Sequence, residues 1–218
     1  MTFLGLAETL EGDLTGYIPS NLISMCDGLV FLSNTLFGEG QRPAVDFTLS
    51  VSIVGGKTQP PILKSMSSAL RVQYAQYSEV AKLSKLQSSM SGEAEKVMKR
   101  GEAIVSVLQQ GQYDPATLAE EAILVYAVKT GRLDDLGQAE RRKFKDGIFD
   151  YALEKNPGLV EDITARQELT PEIERGMKEL FDAYFAEQAE GAAAAGQSGA
   201  GGEAAGNQEG AAPEGAGA

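Results

Sequence analysis

The sequence contains no histidine and a single cysteine, Cys26, among its 218 residues. One cysteine cannot form an internal disulfide or a cysteine-based zinc site, and the lack of histidine removes the commonest metal ligand. Because no histidine can activate its thiol, Cys26 is interpreted as a small core residue beside an apolar run. We therefore predict neither a metal site nor a catalytic residue in this chain.

Basic residues and long apolar runs are scarce as well. Acidic side chains outnumber basic ones 31 to 19, and this balance disfavours binding to nucleic acid or to an anionic membrane. No apolar run reaches the length of a membrane-spanning helix, and the first residues lack the basic and apolar regions of a signal peptide. We expect an intracellular, soluble chain without a membrane span.

The C-terminal stretch lacks large apolar side chains. The last 28 residues, which begin at Gly191, contain 20 glycines or alanines. Such a segment cannot bury enough apolar surface to offset the entropy lost on ordering. We predict a disordered tail over residues 189–218.

The first part of the chain shows the patterns of short strands and loops. Thr2–Leu6 is an apolar run, and Phe47–Ile53 alternates strictly between apolar and polar side chains, which predicts a strand. Asp27-Gly28 lies between the apolar runs Leu22–Met25 and Leu29–Leu32, and this arrangement predicts a hairpin. A sheet this small leaves its edges uncovered, so we expect neighbouring strands from upstream chain or from a partner.

The remainder of the chain has apolar side chains at the three- and four-residue spacing of amphipathic helices. Pro60-Pro61 suits the first turn of a long helix, and Gly131 and Asn156-Pro157 are typical of helix ends. The helices are predicted to begin at Pro61, at Glu93, after an Asp114 cap, at Gln138 behind Asp135, and after Thr170. The sequence therefore predicts an all-α bundle after the strands.

Gly56-Lys57-Thr58 lies between a predicted strand and a predicted helix, where a phosphate-binding loop would be found. The complete motif needs a further glycine at position 51, which is occupied by Val51. Pro60 and Pro61 also remove amide donors from the first helical turn. A connecting turn is the favoured interpretation, and a small independent nucleotide-binding enzyme built on this turn is a weak alternative.

A longer pattern resembles a known family. Residues 17–32, YIPSNLISMCDGLVFL, are similar to YIPTNVISITDGQIFL of the alpha subunit of F-type ATP synthase. The similarity continues in register through Leu36-Phe37, Arg42-Pro43-Ala44, Ser50–Gly56, Ala75-Gln76-Tyr77, Gln110–Pro115 and Gly131–Leu136. It covers about residues 6–186. The beta subunit has a different sequence after its YVP and a strongly acidic loop, so the alpha subunit is favoured.

The resemblance implies a fold and a division into domains. Residues 1–59 would be the C-terminal strands of a RecA-like nucleotide-binding domain, and residues 60–188 an alpha-helical C-terminal domain. The disordered tail would follow over residues 189–218. The expected fold class is therefore an α/β fragment followed by an all-α helical bundle.

The resemblance also implies half of a nucleotide site. Its adenine pocket would use Phe37, Arg42, Pro43, Gln110 and Gln112. An aromatic ring and a proline can pack against a base, and two amides offer donor and acceptor edges. The family's phosphate loop and magnesium site have no counterpart here. ATP or ADP with Mg is therefore expected only in a complete assembly, and no cofactor is expected for the chain alone.

Two further surfaces follow from the resemblance. Ser24, Ser52 and Ile53 would face a neighbouring beta subunit. The turn comprising Leu133, Asp134, Asp135 and Leu136 would contact the rotating central shaft. Without the resemblance, the two acidic residues would be interpreted as a solvated cap at a helix start.

Ile53 departs from the family pattern, which has arginine in VSRVGG. In the family that arginine stabilises charge on the transferring phosphoryl group in the partner's catalytic site, an effect worth roughly a thousandfold or more in rate. Isoleucine carries no charge, and nearby Lys57 lacks the planar fork of a guanidinium. The chain is not expected to be catalytic alone.

The resemblance implies a truncated or split alpha subunit, non-catalytic and regulatory. Its expected partners are the beta subunit, the gamma subunit of the central stalk, and a separate N-terminal alpha fragment if one is encoded. The complex would be peripheral on the cytoplasmic, or matrix-type, face of an energy-transducing membrane. The alternative is a degenerate stand-alone interaction module with no ATPase role.

Overall fold

The computed structural model describes residues 3–10, 12–84 and 91–198. The chain divides into two compact units, Met1–Phe181 and Asp182–Ala218. The first unit contains the short elements and helices described below as far as the middle of the last helix. The second contains the remainder of that helix.

The N-terminal segment, meaning the described residues up to 59, contains only short elements. They are α1 (Tyr17–Met25), β1 (Gly28–Leu29), α2 (Asn34–Gly38), β2 (Val51–Ser52) and α3 (Gly55–Thr58). β1 and β2 pair antiparallel, with Leu29 opposite Val51. Leu32 and Val45 form an isolated bridge beside them.

The predicted hairpin around Asp27-Gly28 is wrong. Leu22–Met25 belongs to α1, and the strand partner of Leu29 is Val51, far along the chain. The helix is possible because Pro19 is its third residue, in the first turn where a missing amide donor costs nothing. An apolar run of four residues does not distinguish a strand from one turn of helix.

The predicted strand over Phe47–Ile53 is reduced to Val51–Ser52. The Asp46 carboxylate accepts hydrogen bonds from the backbone amides of Thr48 at 2.8 Å and Leu49 at 3.2 Å. A polar side chain that binds local amides offers the backbone an alternative to a strand ladder. The segment therefore begins as a turn rather than as a strand.

No strand forms at the start of the described chain either. Residue 2 lies outside the described ranges, and residues 3–9 have no regular structure. Phe3, Leu4 and Leu6 are each more than four-fifths exposed. A strand needs a hydrogen-bonded neighbour, and none pairs with these residues within the described part of the chain.

After the N-terminal segment, the described chain is almost entirely helical. The helices are α4 (Pro61–Ser84), α5 (Gly92–Leu108), α6 (Leu118–Lys129), α7 (Gln138–Lys155), α8 (Pro157–Arg166) and α9 (Pro171–Ser198). The fold class predicted from the sequence, a short α/β fragment followed by a helical domain, is confirmed. The division at 59/60 stays a prediction.

Two of the predicted helix caps are wrong. α6 begins at Leu118 behind Thr117, whose hydroxyl accepts from the Glu120 amide while the Glu120 carboxylate accepts from the Thr117 amide. This reciprocal pair satisfies two donors, whereas a cap at Asp114 would have satisfied one. α7 begins behind Gly137, so Asp135 is not its N-cap.

α8 was not predicted from the sequence. Asn156-Pro157 does end α7, but Asn156 also caps the next helix, and its side-chain oxygen accepts from the Leu159 amide at 3.2 Å. Proline at a first helical position is compatible with starting a helix as well as with ending one. α9 begins behind Thr170 as predicted and continues to Ser198. The remainder of the predicted tail, residues 199–218, lies outside the described residues.

The core of the first unit is built around α6, which packs against α4, α5, α7 and α8. α6 is apolar on most of its circumference because neighbours cover it on several sides. The Phe181 ring lies 6.0 Å from the Tyr126 ring and 5.8 Å from the Phe144 ring. The largest fully buried side chains also include Ile62, Met66, Ile104, Ile123, Leu133, Ile148, Ile163, Ile173 and Met177.

Candidate functional site

Phe37 and Arg42 lie against each other at the surface of the N-terminal segment. The Arg42 guanidinium carbon is 3.4 Å from the centroid of the Phe37 ring, and Nη1 donates to the Phe37 carbonyl at 2.6 Å. Ser33 caps the short helix α2 that carries Phe37, and Gly40 supplies the positive φ of 90° that returns the chain to Arg42. The two side chains form a flat, cationic and aromatic surface.

The structure brings a third predicted residue to this surface. The backbone amide of Gln110 donates to the backbone carbonyl of Arg42 at 2.8 Å. This bond joins the loop after α2 to the loop after α5. Pro43 follows Arg42 through a cis peptide bond and is exposed. The structure therefore brings Phe37, Pro43 and Gln110 together around Arg42.

Gln112, the fifth predicted residue, is not brought into this cluster. Its side chain is exposed and has no hydrogen bond to another described residue. Tyr113 follows it with a positive φ of 63°, which directs the loop away toward α6.

A cleft of about 960 Å³ opens beside the cluster, between α5, α7 and the loop after α5. Its lining includes Arg42, Gln109, Gln110 and Lys145 together with acidic side chains such as Asp114. Lys145 Nζ donates to the Gln109 carbonyl, and partial burial lowers the pKa of the Lys145 amine. The lysine therefore supports the backbone immediately before Gln110.

Sequence reasoning missed Lys145, although a signal was present. Lys145 follows Arg141 by four residues on α7 and lies between the apolar positions Phe144 and Ile148. Helical geometry places residues four apart on one face, so this side of α7 is not wholly solvated. The pattern does not indicate which carbonyl the amine meets.

The predicted interface residues lie in the N-terminal segment, near β1 and β2. The Ser24 hydroxyl donates to the Asn21 carbonyl at 2.7 Å, and the Ser52 hydroxyl accepts from the Gly55 amide at 3.0 Å. Ile53 is 70% exposed, and its amide donates to the Asp27 carbonyl at 2.9 Å. An apolar side chain is therefore presented outward at the end of β2.

Exposed apolar side chains are concentrated in this segment. A contiguous apolar surface on a protein marks a contact with another chain or with a ligand more often than an isolated exposed residue does. The large apolar side chains exposed here are Phe3, Leu4, Leu6, Leu10, Tyr17, Ile18, Met25, Val30, Leu32, Phe37, Leu49, Val51, Ile53 and Val54.

Gly56-Lys57-Thr58 belongs to α3, a single helical turn. The Lys57 amide donates to the Val54 carbonyl, and the Gln59 amide donates to the Gly55 carbonyl, both at 2.9 Å. A phosphate cradle needs several consecutive amides that point at the anion. These amides are used inside the turn instead.

The four residues of the predicted shaft contact have different environments. Leu133 is completely buried, Leu136 is half-buried and Asp135 is exposed. Arg100 Nη1 lies 3.1 Å from an Asp134 carboxylate oxygen, and Arg141 Nε donates to the Leu133 carbonyl at 2.9 Å. Arg100 lies on α5 and Arg141 on α7, outside the turn itself, so the sequence motif of the turn gives neither arginine a role.

Comparison with known proteins places the chain in a family. The model for the nucleotide-binding domain of the ATP synthase alpha/beta family matches residues 1–52, and the model for the C-terminal domain of the ATP synthase alpha/beta chain matches residues 59–184. In the part of the chain that the structure describes, no helix combines the length and the apolar character needed to cross a membrane.

Individual relatives are alpha subunits. The chain is 36% identical over 184 residues to the sodium ion specific ATP synthase subunit alpha of Acetobacterium woodii, covering 84% of this chain and 37% of that protein. It is 38% identical over 173 residues to ATP synthase subunit alpha of Clostridium botulinum (79% and 34%), and 34% identical over 186 residues to that of Mannheimia succiniciproducens (85% and 36%). It thus spans little more than a third of the length of these relatives. The resemblance inferred from the sequence is confirmed: the chain belongs to the ATP synthase alpha/beta family, and its matched relatives are alpha subunits.

Proposed function

We propose that this chain supplies the C-terminal part of the alpha subunit, the non-catalytic and regulatory subunit, of a rotary F-type ATP synthase. It contributes to the alpha/beta hexamer, to the adenine side of the non-catalytic nucleotide site and to the central-stalk contact. The observation that carries this proposal is the junction at Gln110 and Arg42. It joins loops from the two matched domains and brings Gln110 to the loop that carries Arg42 and Pro43.

The adenine side of the site is formed by the surface around Arg42. A nucleobase can stack on the guanidinium plane of Arg42, which already covers the Phe37 ring, or replace it on that ring. Gln110 then offers an amide donor and an amide acceptor to the base edge. Phosphates and Mg²⁺ require a cradle from elsewhere in the assembly, so ATP or ADP is bound there and not by this chain alone.

Ile53 makes the proposed subunit non-catalytic at its interface. The exposed isoleucine presents no donor or charge to a neighbouring active site. Stabilisation of a transferring phosphoryl group requires a preorganised cation or donor at that place. In this proposal, Ser24, Ser52 and Ile53 contribute packing against the beta subunit.

The proposed partners are the beta subunit, the gamma subunit of the central stalk and an N-terminal alpha fragment. The exposed apolar side chains of the N-terminal segment support assembly, because covering them removes a large apolar area from water. The complex is then peripheral on the cytoplasmic, or matrix-type, face of an energy-transducing membrane. The second candidate is a stand-alone interaction module with no ATPase role. The same exposed apolar side chains of the N-terminal segment would bind the partner of such a module.

Recovery of partners on the tagged full-length chain from its native cells tests the proposal. We expect beta and gamma subunits to be recovered, and we expect Ile53→Asp to lower the recovery of beta. Leu83→Asp is the matched control, since Leu83 is 57% exposed on α4 and lies outside the proposed interface.

Two outcomes count against a subunit role. Recovery of partners without any ATP synthase subunit supports the stand-alone module. Saturable ATP binding by the purified chain alone contradicts both candidates and supports an independent nucleotide-binding protein.

A further inference from the structure

Two arginines from different helices reach the turn between α6 and α7. We call residues 133–136 the α6–α7 turn. Arg100 approaches it from α5, and Arg141 approaches it from α7. Among the described residues, Arg141 is the one charged side chain that is buried, with 5% of its surface exposed. A buried guanidinium needs several acceptors to offset its desolvation, and here the turn supplies two of them while Glu102 and the Lys99 carbonyl on α5 supply the others.

Arg141 binds the backbone of the turn. Its Nε donates to the Leu133 carbonyl at 2.9 Å, and its Nη2 donates to the Asp134 carbonyl at 3.1 Å. Its Nη1 forms an ion pair with Glu102 at 3.1 Å. Because the guanidinium is planar and its donors are fixed relative to one another, two successive carbonyls are held in one orientation.

Arg100 binds the last carbonyls of α6 and the Asp134 carboxylate of the turn. Its Nη1 donates to the Asp134 carboxylate and to the Val128 carbonyl, and its Nη2 donates to the Lys129 carbonyl at 3.3 Å. Its Nε donates to Gln73 on α4 at 3.2 Å. One side chain thus ties the last carbonyls of α6, the turn and α4 together, and it adds a charged donor at the C-terminal end of the helix.

These contacts leave one acidic group of the turn unused. Leu133 is in the core, and the Asp134 carboxylate is occupied by Arg100. Asp135 is exposed and has no hydrogen bond or ion pair with another described residue. It does not serve as a cap either, since Gly137 is the N-cap of α7 and the Glu140 carboxylate accepts from its amide.

We propose that Arg100 and Arg141 are positioning residues that hold the α6–α7 turn rigid, so that Asp135 projects as its recognition group toward a basic side chain of the central shaft. This inference rests on the proposed function for the identity of the partner. A preformed turn loses less conformational entropy on binding than a mobile one. Asp134, the neighbouring acid in the same sequence motif, is half-buried and paired with Arg100, so the proposal assigns it no contact with the shaft.

Rigidity of the turn is testable in the full-length chain alone by amide hydrogen exchange. We expect Arg100→Gln to speed exchange at residues 131–137 by about tenfold or more while exchange in α8 is unchanged. Arg100→Lys replaces the planar guanidinium by a single ammonium group that can keep one of its contacts, so exchange at residues 131–137 should be intermediate between wild type and Arg100→Gln. Arg142→Gln is the control, because Arg142 is exposed and pairs only across one helical turn with Asp146 at 3.8 Å.

If the turn exchanges at the wild-type rate in Arg100→Gln, the positioning role is wrong. Arg141→Gln gives a second measurement with a different set of lost bonds. Should that variant unfold, Arg141→Lys at the same buried position replaces it, and an unchanged turn there also overturns the proposal.

The recognition role of Asp135 is tested in a complex of this chain with beta and gamma subunits. Retention of the gamma subunit is measured through a salt gradient, because a contact between opposite charges weakens with ionic strength. We expect Asp135→Lys to release the gamma subunit at a lower salt concentration than wild type. Glu154→Lys, the same charge change at an exposed position of α7, should release it at the wild-type concentration.

The outcomes separate the two proposals. If the wild-type chain assembles and Asp135→Lys behaves like Glu154→Lys, the recognition role is overturned while the subunit role stands. If wild type forms no complex with beta and gamma, the proposed function and the shaft partner both fail. The exchange measurement then still decides whether the arginines hold the turn.

Discussion

Replacing Gly101 by alanine tests the central packing of the helical domain. Gly101 lies in the interior of α5 and faces Tyr77 of α4. A Cβ at Gly101 would lie 1.9 Å from Tyr77 Cγ and 2.3 Å from Tyr77 Cβ, whereas ordinary contacts begin at 3.4 Å. Because Tyr77 Cβ is attached to the α4 backbone, rotating the ring cannot relieve this overlap. The two helices have to move apart.

The expected size of the effect is a difference of two opposing terms. Alanine is favoured over glycine in a helix interior by about 0.5–1 kcal/mol. Forcing extra volume into a packed contact costs about 1–3 kcal/mol, and overlap with an atom next to the backbone places this site at the upper end. We expect Gly101→Ala to lower the free energy of unfolding by about 2 kcal/mol, opposite in sign to the propensity term.

Urea unfolding followed by circular dichroism at a helix band measures this difference. Gly92→Ala is the matched control, because Gly92 is the first residue of the same helix and no atom lies within 4 Å of the added Cβ. That variant should be as stable as wild type or slightly more stable. A Gly101→Ala protein that gains stability like the control would refute the close approach of α4 and α5.

Three further predictions address a cap, a buried phenol and the interface. Thr117→Ala removes the hydroxyl that accepts from the Glu120 backbone amide at the start of α6, and it should lower the free energy of unfolding by about 1 kcal/mol in the same assay. Burial and the hydrogen bond to Glu174 raise the pKa of Tyr126 to about 12 from an ordinary value of 10.0, so its contribution to stability is complete below pH 10 and is lost as pH rises to 12. That loss amounts to about 2–3 kcal/mol, and Tyr126→Phe should remove this part of the pH dependence of unfolding; equal slopes in both proteins would contradict the shift. In an assembled complex, Ile53→Arg should raise the ATP turnover rate measured in a coupled assay, because it supplies the missing cation, and an unchanged rate would show that the arginine does not reach the active site.

The helical half was predictable because its signals are local. Apolar spacing on α4 and α5, the break at Asn156-Pro157 and the stop at Gly131 each depend on residues within one or two turns. Where two local signals competed, the prediction was wrong. Asp114 and Thr117 are both typical N-cap residues. Thr117 is the cap in the structure, where the Glu120 carboxylate also accepts a hydrogen bond from the Thr117 backbone amide.

The N-terminal segment was less predictable because strands depend on distant partners. The run at Leu22–Met25 and the alternation at Phe47–Ile53 both fit strands, yet the first is helical and the second begins as a turn and forms a strand only at Val51–Ser52. The Asp46 carboxylate decides the second case through two backbone amides, and Arg71 Nη2 donates to the Ser50 carbonyl at 2.8 Å from α4. A sequence pattern does not reveal that competition.

Some residues of the candidate site were predictable from the sequence and others were not. Resemblance named Phe37, Arg42 and Gln110, and the fold places them side by side. Lys145, which supports the loop before Gln110, belongs to no motif and is found only by its contact. The role of the Lys145 amine depends on its contact with the Gln109 carbonyl, which lies at the end of α5 and is distant in sequence.

The sequence alone determined that the chain is a member of this family, where its strongly periodic helices lie, and that position 53 carries no arginine. These properties depend on residue identity and on spacing along the chain. Only the tertiary structure decided that Asp134 is held by Arg100 from α5 while Asp135 projects. Two adjacent aspartates are equivalent in sequence. They become different because a side chain thirty-odd residues away reaches one carboxylate and leaves the other in water.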